Sequence, residues 1–303
     1  MPKFKIPEYF DIAVLENELL FKTEENIVSV QGRSTELIKK ILKYLDGSNS
    51  IDDIAKKTKL SIQLINDISS KLSQAGLVFD EEKTLYKHQY KDDKRSNFFS
   101  KKKGLNNRFV PLKNLEMSSA LLIGVNPIIK IISNSLSSYG VDITNKNTLN
   151  YKSANSINSD IVVICESNSG LHSSINKTFL KKDKKWIGVR FYGAYGEIGP
   201  FVIPYKSPCY ECYNLRIKSN LNNKELAFSE FSEKSKICKV YNYGLPSFYN
   251  ILGELAAIEV IRILSKYEKP KTLGNVMRID FNTQIIEHVP FLKIPNCLSC
   301  GYG

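Results

Sequence analysis

The chain has 303 residues, 42% of them hydrophobic, and a formal charge of +12 at pH 7. That length allows about two domains with ordinary cores. No apolar run reaches bilayer length, and MPKFKIPEYFDIAV at the N-terminus lacks the apolar core of a signal peptide, so a cytoplasmic protein with no membrane partner is expected.

Residues 9–31 predict three short strands, YFDIAV, ELLFKT and NIVSVQ, separated by turns at Glu16-Asn17 and at residues 24–26. Helical spacing follows. Leu37, Ile38, Ile41, Leu42 and Leu45 make one stripe between a Ser34 cap and a Gly47 stop. Ser50 followed by Asp53 marks a second helix start. Ser61 opens a third helix that carries Leu64, Ile65, Ile68 and Leu72, with Gly76 at its end and LVFD returning as a strand. This is the pattern of a winged helix-turn-helix over residues 1–82. A DNA reader needs cations on its third helix. Residues 61–75 carry one Lys and one Asp, which argues against nucleic acid. An extended peptide can instead add to a free edge of the last strand. The expected contacts are Ile27, Val28, Ser29 and Val30, faced by the four apolar residues of the third helix.

Residues 83–113 hold ten Lys/Arg and two Asp, a net of +8. A polar, weakly periodic segment of this kind reads as a basic linker over 83–115, or as a docking strip for an acidic partner or peptide.

From 116 to 303 strands and helices alternate, which predicts a largely parallel α/β sheet. ALLIGV is a buried strand, and Pro127 opens a helix to 138. VDIT and DIVVICESN are further strands, and a helix then runs to about 182. WIGVRFY and IGPFVIP follow. PSFYNILGELAAIEVIRIL is a strongly apolar helix that packs on the sheet or at a dimer interface. NVMRIDF and QIIEHVPF form a final hairpin.

Two CxxC pairs stand out, PCYECYNLR at 208–216 and NCLSCGYG at the chain end. Four thiolates from Cys209, Cys212, Cys297 and Cys300 suit one tetrahedral zinc with no open position, hence a structural site. Redox pairs or separate free thiols are the rivals. Neither pair opens a helix after the first strand, as a thioredoxin-like motif does. Cys165 lies in an apolar strand and reads as core. His88, His172 and His288 have no ligand spacing, and Trp186 with its neighbouring tyrosines reads as core and sheet surface.

The first module resembles the RiPP recognition element, the peptide-binding winged helix of ribosomal natural-product pathways, over about residues 8–82. IGPFVIPYKSPCYECY, the long apolar helix and IPNCLSCG resemble the ThiF-like activating enzymes of the ubiquitin-activating superfamily, over about 116–303. That resemblance implies a Rossmann-like domain with zinc held by the two cysteine pairs. It also implies a homodimer.

The chain departs from the adenylating members in three places. The turn Gly124-Val125-Asn126-Pro127 has one glycine and a proline where phosphate binding needs close backbone approach. Asp142 falls inside a strand where the family's ribose-binding acid follows one. Ser167 stands where the family has a metal-binding aspartate. The nucleotide site formed by Gly124, Asn126 and Ser167 is therefore read as degenerate, with no ATP bound by this chain. Cys238, near the family's thioester or persulfide position, reads as a plain thiol.

The combination resembles the partner proteins of YcaO cyclodehydratases in thiazole/oxazole-modified microcin and thiopeptide pathways. What that implies is a non-catalytic subunit. It binds the leader of a precursor peptide and presents the core to the YcaO enzyme, which uses ATP and Mg²⁺ to form azolines. A flavin-dependent azoline dehydrogenase can follow. The alternatives are an ATP-dependent peptide adenylyltransferase of the same layout and a DNA-binding regulator.

Overall fold

The computed structural model describes residues 2–7, 10–23, 27–32, 34–81, 95–100, 109–124, 127–147, 158–166, 169–223 and 244–301. The chain divides into two compact units, Met1–Lys113 and Asn114–Gly303.

In the first unit β1 (Phe4–Lys5) is followed by β2 (Asp11–Val14), β3 (Glu18–Lys22) and β4 (Ile27–Gln31). The last three form an antiparallel sheet with β3 in the centre. Period-two alternation in ELLFK turns Leu19 and Phe21 fully inward. Helices α1 (Thr35–Leu42), α2 (Ile51–Thr58) and α3 (Ile62–Gln74) pack against them. Ser34 occupies the N-cap position of α1 without a side-chain cap, and that helix ends at Lys43 ahead of Gly47. Ser50 and Asp53 form a reciprocal capping box at α2. The Ser61 hydroxyl accepts from the Leu64 N–H at α3. After α3 the chain returns as β5 (Phe79–Asp80), which pairs with β1 and ties the chain start to the unit.

The segment expected as a linker is helical in its described parts, α4 (Arg95–Ser100) and α5 (Val110–Glu116). Phe99, Phe109, Leu112 and Leu115 are buried there. Residues 82–94 and 101–108 lie outside the described residues.

The second unit is built on a seven-stranded sheet. Its strands are β6 (Ser119–Ile123), β7 (Asp142–Lys146), β8 (Ile161–Cys165), β9 (Trp186–Phe191), β10 (Tyr195–Val202), β11 (Asn275–Asp280) and β12 (Ile285–Pro290). The order is β12-β11-β10-β9-β8-β6-β7. The expectation of a largely parallel sheet needs correction. Strands β7, β6, β8 and β9 run parallel, whereas β9 to β12 are antiparallel. The physical reason is connection length: the short turns β9–β10 and β11–β12 permit only hairpins. Helices α6 (Pro127–Ser138) and α9 (Pro246–Ser265) pack together on one face, and α7 (Ser169–Lys181) and α8 (Tyr210–Lys218) on the other. Covered on both sides, IVVIC of β8 is buried at every residue. Among the described residues no helix is long and apolar enough to cross a membrane.

Candidate functional site

The four cysteines come together. Cys209 is the N-cap residue of α8 and Cys212 lies in its first turn. Cys297 and Cys300 sit in consecutive tight turns after β12. The Cys297 N–H donates to the Ile294 carbonyl, and the Gly301 N–H to the Cys297 carbonyl. Gly301 is needed for that turn, because a Cβ there would lie 2.6 Å from both the Cys297 nitrogen and the Pro295 oxygen. All four sulfurs lie within 4.8 Å of one another. The Cys209–Cys212, Cys209–Cys297 and Cys212–Cys300 separations are 3.9, 3.8 and 3.5 Å. A tetrahedral cation with bonds of about 2.3 Å to sulfur needs sulfurs about 3.8 Å apart. The spacing therefore fits a shared metal ion and excludes disulfides, whose sulfurs sit about 2.0 Å apart.

Without a metal, the cluster favours a single thiolate at Cys212. A hydrogen bond from the Cys209 thiol and another from the Ile294 N–H hold the Cys212 thiol down to about 4. Cys209 moves upward as the donor, and burial pushes Cys300 up to about 12. A cation bound to all four removes that competition. Tyr210, Tyr213 and Phe291 pack around the sulfurs in one core with Trp186. By contrast, burial pushes the Cys165 thiol upward and keeps it an inert part of the core.

The C-terminal ends of β6 and β8 are where a doubly wound sheet binds nucleotides. Here Gly124 follows β6 with φ +138. A Cβ at that position would lie 2.3 Å from the Cys165 carbonyl oxygen, so close approach to β8 accounts for this glycine. Its N–H donates to the Lys146 carbonyl at 3.0 Å and is not free for a phosphate. Pro127, which opens α6, has no N–H to offer. Asp142 pairs with Ser119 in register, whereas Ile123 pairs with Lys146. Asp142 thus stands at the opposite end of the sheet from Gly124. Asn126, Ser167 and Cys238 lie outside the described residues.

Sequence reading missed Glu166, the acid that directly follows β8. Its backbone oxygen is 2.6 Å from His172 Nε2. A carbonyl only accepts, so Nε2 carries the proton. Burial, with Arg190 nearby, takes His172 down to about 3 and keeps it neutral. On the same helix the Asn176 side chain accepts from the Tyr210 N–H. Helix α7 therefore braces both the exit of β8 and the first CxxC.

In the first unit, β4 forms one edge of its sheet. Ile27 is 62% exposed, and Val28 and Ser29 are exposed beside it. Val30 turns inward against the core. The expected helix contacts need correction, because Ile65, Ile68 and Leu72 are buried among Leu19, Phe21 and Ile41. Helical period put all of them on one apolar face, and that face is spent on the core. Leu64 is partly buried at its margin.

A mixed α/β sheet whose terminal cysteine pair closes on a CxxC helix defines a recognisable class of protein. The chain belongs to the ThiF family, whose model matches residues 115–299. No curated relative matches it. Among solved structures it is similar to the heterocyclase TruD, with a TM-score of 0.75 at 17% identity over 99% of this chain and 43% of that one. It is similar to a heterocyclase in complex with substrate and cofactor, at TM-score 0.77, 18% identity, 98% and 39%. It is also similar to E. coli MccB with AMPCPP and MccA, at TM-score 0.69, 15% identity, 99% and 100%. The chain thus spans about two fifths of the heterocyclases it resembles.

Proposed function

We propose that this protein is a non-adenylating scaffold in the making of a ribosomal peptide product. Residues 1–82 act as a winged-helix leader-binding domain, 83–115 connect, and 116–303 form a ThiF-type domain stapled by structural zinc. The leader of a precursor peptide adds beside β4 at Ile27, Val28 and Ser29, with Leu64 at the groove margin. Val30, Ile65, Ile68 and Leu72 hold the groove from beneath. The tethered core is presented to a YcaO cyclodehydratase, with a flavin-dependent dehydrogenase acting afterwards on its azolines. Tethering raises the local concentration of many poor sites at one enzyme. A cytoplasmic homodimer is the expected form.

The observation that carries the non-adenylating reading is the pair of positions Gly124 and Pro127 after β6. The Gly124 N–H is bonded to Lys146 and Pro127 supplies none, so the phosphate cradle has no donors at two of its positions. A second reading keeps adenylation. It is favoured by full-length similarity to MccB, solved with AMPCPP, and by Glu166 at the end of β8.

Calorimetric titration separates them. The leader encoded beside this gene is expected to bind, and ATP–Mg²⁺ alone to give no heat. ATP heat, with pyrophosphate exchange in the presence of peptide, reverses the conclusion. Val28→Pro and Ile27→Asp are each expected to weaken leader binding by about tenfold or more, with the circular dichroism spectrum retained. Unchanged affinity in both variants moves the leader site elsewhere.

A further inference from the structure

On the α7/α8 face of the large sheet, one row of charge crosses four strands. Arg190 stands opposite Glu197, Glu197 opposite Arg278, and Arg278 opposite Glu287. Directly opposed residues of antiparallel strands share a face. The row runs from buried at Arg190 to exposed at Glu287. At its outer end lies a groove of about 580 Å³, a volume in the range of ordinary ligand sites. Tyr192, Tyr195 and Ile285 wall it, with Asp280 and Glu287 among its polar groups.

The charges there are unequal. Arg278 is engaged within the protein: its Nε donates to Glu197 at 2.8 Å and its Nη2 to the Tyr213 hydroxyl at 3.0 Å. Glu197 is further neutralised by Arg190 at 2.9 Å. One Asp280 oxygen accepts from the Asn282 and Thr283 N–H groups of the hairpin turn. Glu287 has no hydrogen-bond or ion-pair partner among the described residues. Arg278 also lines the groove but is engaged with Glu197 and Tyr213, which leaves Asp280 and Glu287 as two carboxylates with no ion pair among the described residues, beside the ring of Tyr195, which is 54% exposed. It lies beside β12, the last strand of the sheet, whose outer edge has no strand partner among the described residues.

We propose that this groove docks a cationic extended peptide segment. A lysine or arginine side chain sits between Asp280 and Glu287 against Tyr195, gaining ion-pair and cation–π attraction. The segment's backbone adds along β12 as a further strand. The site is built from the second unit alone and involves no residue of β4, so it stands or falls apart from the leader reading.

The test uses the whole protein and two fluorescein-labelled probes, acetyl-Thr-Val-Arg-Val-Thr-amide and the same peptide with glutamate replacing arginine. The arginine probe is expected to bind at least about tenfold tighter than the glutamate probe. Its affinity falls as salt rises to about 0.5 M. Glu287→Lys, at an exposed and unpartnered position, is expected to weaken it by about tenfold without moving the melting temperature. Tyr195→Ala gives a second, charge-neutral loss. Equal affinity for the two probes, no measurable binding of the arginine probe, or full affinity in Glu287→Lys overturns the proposal. Leader titration run alongside reads the other site: its failure with the arginine probe still bound strikes only the leader assignment.

Discussion

If the four cysteines hold the proposed zinc, Cys212→Ser is expected to release it and unfold the second unit. The variant replaces a sulfur that lies 3.9 Å from Cys209 and 3.5 Å from Cys300 and accepts the Ile294 N–H. Structural zinc in such a shell contributes on the order of 10 kcal/mol or more of folding free energy, against a total stability of about 5–15 kcal/mol for a typical domain. The segments the metal would join are otherwise tied by the core contacts of Tyr210, Tyr213 and Phe291 and by single hydrogen bonds. The region after β12 is held by tight turns, and α8 is only nine residues long. Metal analysis is expected to give about one zinc per native chain and none in the variant, and a strong chelator is expected to reproduce the unfolding. Cys165→Ala, in the core away from the tetrad, keeps the metal. A zinc-free Cys212→Ser protein with the native melting temperature would show the tetrad to be a packed thiol cluster.

The tetrad was legible in the sequence because a metal shell is written locally. Each CxxC puts two sulfurs one turn apart, and only the pairing of the two halves needed a fold. The caps were legible for the same reason: Ser50 and Asp53 meet within a single turn. The antiparallel half of the sheet was harder, because strand direction follows from loop length and loop length is read from boundaries that shift by a residue or two. The proposed peptide site shows how far a pattern reaches. Period identified the apolar face of α3, but the same period serves core and groove alike, and burial awarded Ile65, Ile68 and Leu72 to the core. The nucleotide site shows the converse. A single glycine resembles the remnant of a phosphate loop, yet its N–H is bonded to the Lys146 carbonyl and the Cys165 carbonyl leaves no room for a Cβ. No local pattern reports those neighbours.

The charged row was the least legible feature. Arg190 interrupts the otherwise apolar strand WIGVRF and Arg278 the apolar middle of NVMRID, and that interruption was the available signal. Their meeting at Glu197 depends on the registers of β9, β10 and β11, which sequence spacing does not fix.

Glu197→Ala is expected to be the costliest substitution outside the metal shell. Burial opposes ionisation of this carboxyl, but Arg190 and Arg278 outweigh it, and the Tyr213 hydroxyl adds a hydrogen bond at 2.9 Å, so the group is held below its ordinary value. Removing it leaves Arg190, 1% exposed, as a buried cation whose remaining bond is to the Gly199 carbonyl. Arg278 becomes a second unpaired cation across the same strand. Breaking one side of a buried pair costs about 3–5 kcal/mol, which lowers the melting temperature of a unit this size by roughly 10 °C or more. Glu197→Gln keeps an acceptor for one arginine and is expected to lose less. The pH dependence carries the sign of a depressed carboxylate: its stabilisation is present above its unfolded value and is lost as pH falls through the lower folded one. The native protein is therefore expected to lose stability below about pH 4, and Glu197→Ala to show a flatter acid limb from a lower starting point. Equal acid limbs in the two proteins would mean that the row contributes packing without charge. Tyr213 stands one residue beyond Cys212, so the same variant also weakens a tie to the metal helix. Faster chelator-driven zinc loss from Glu197→Ala is the expected sign of that coupling.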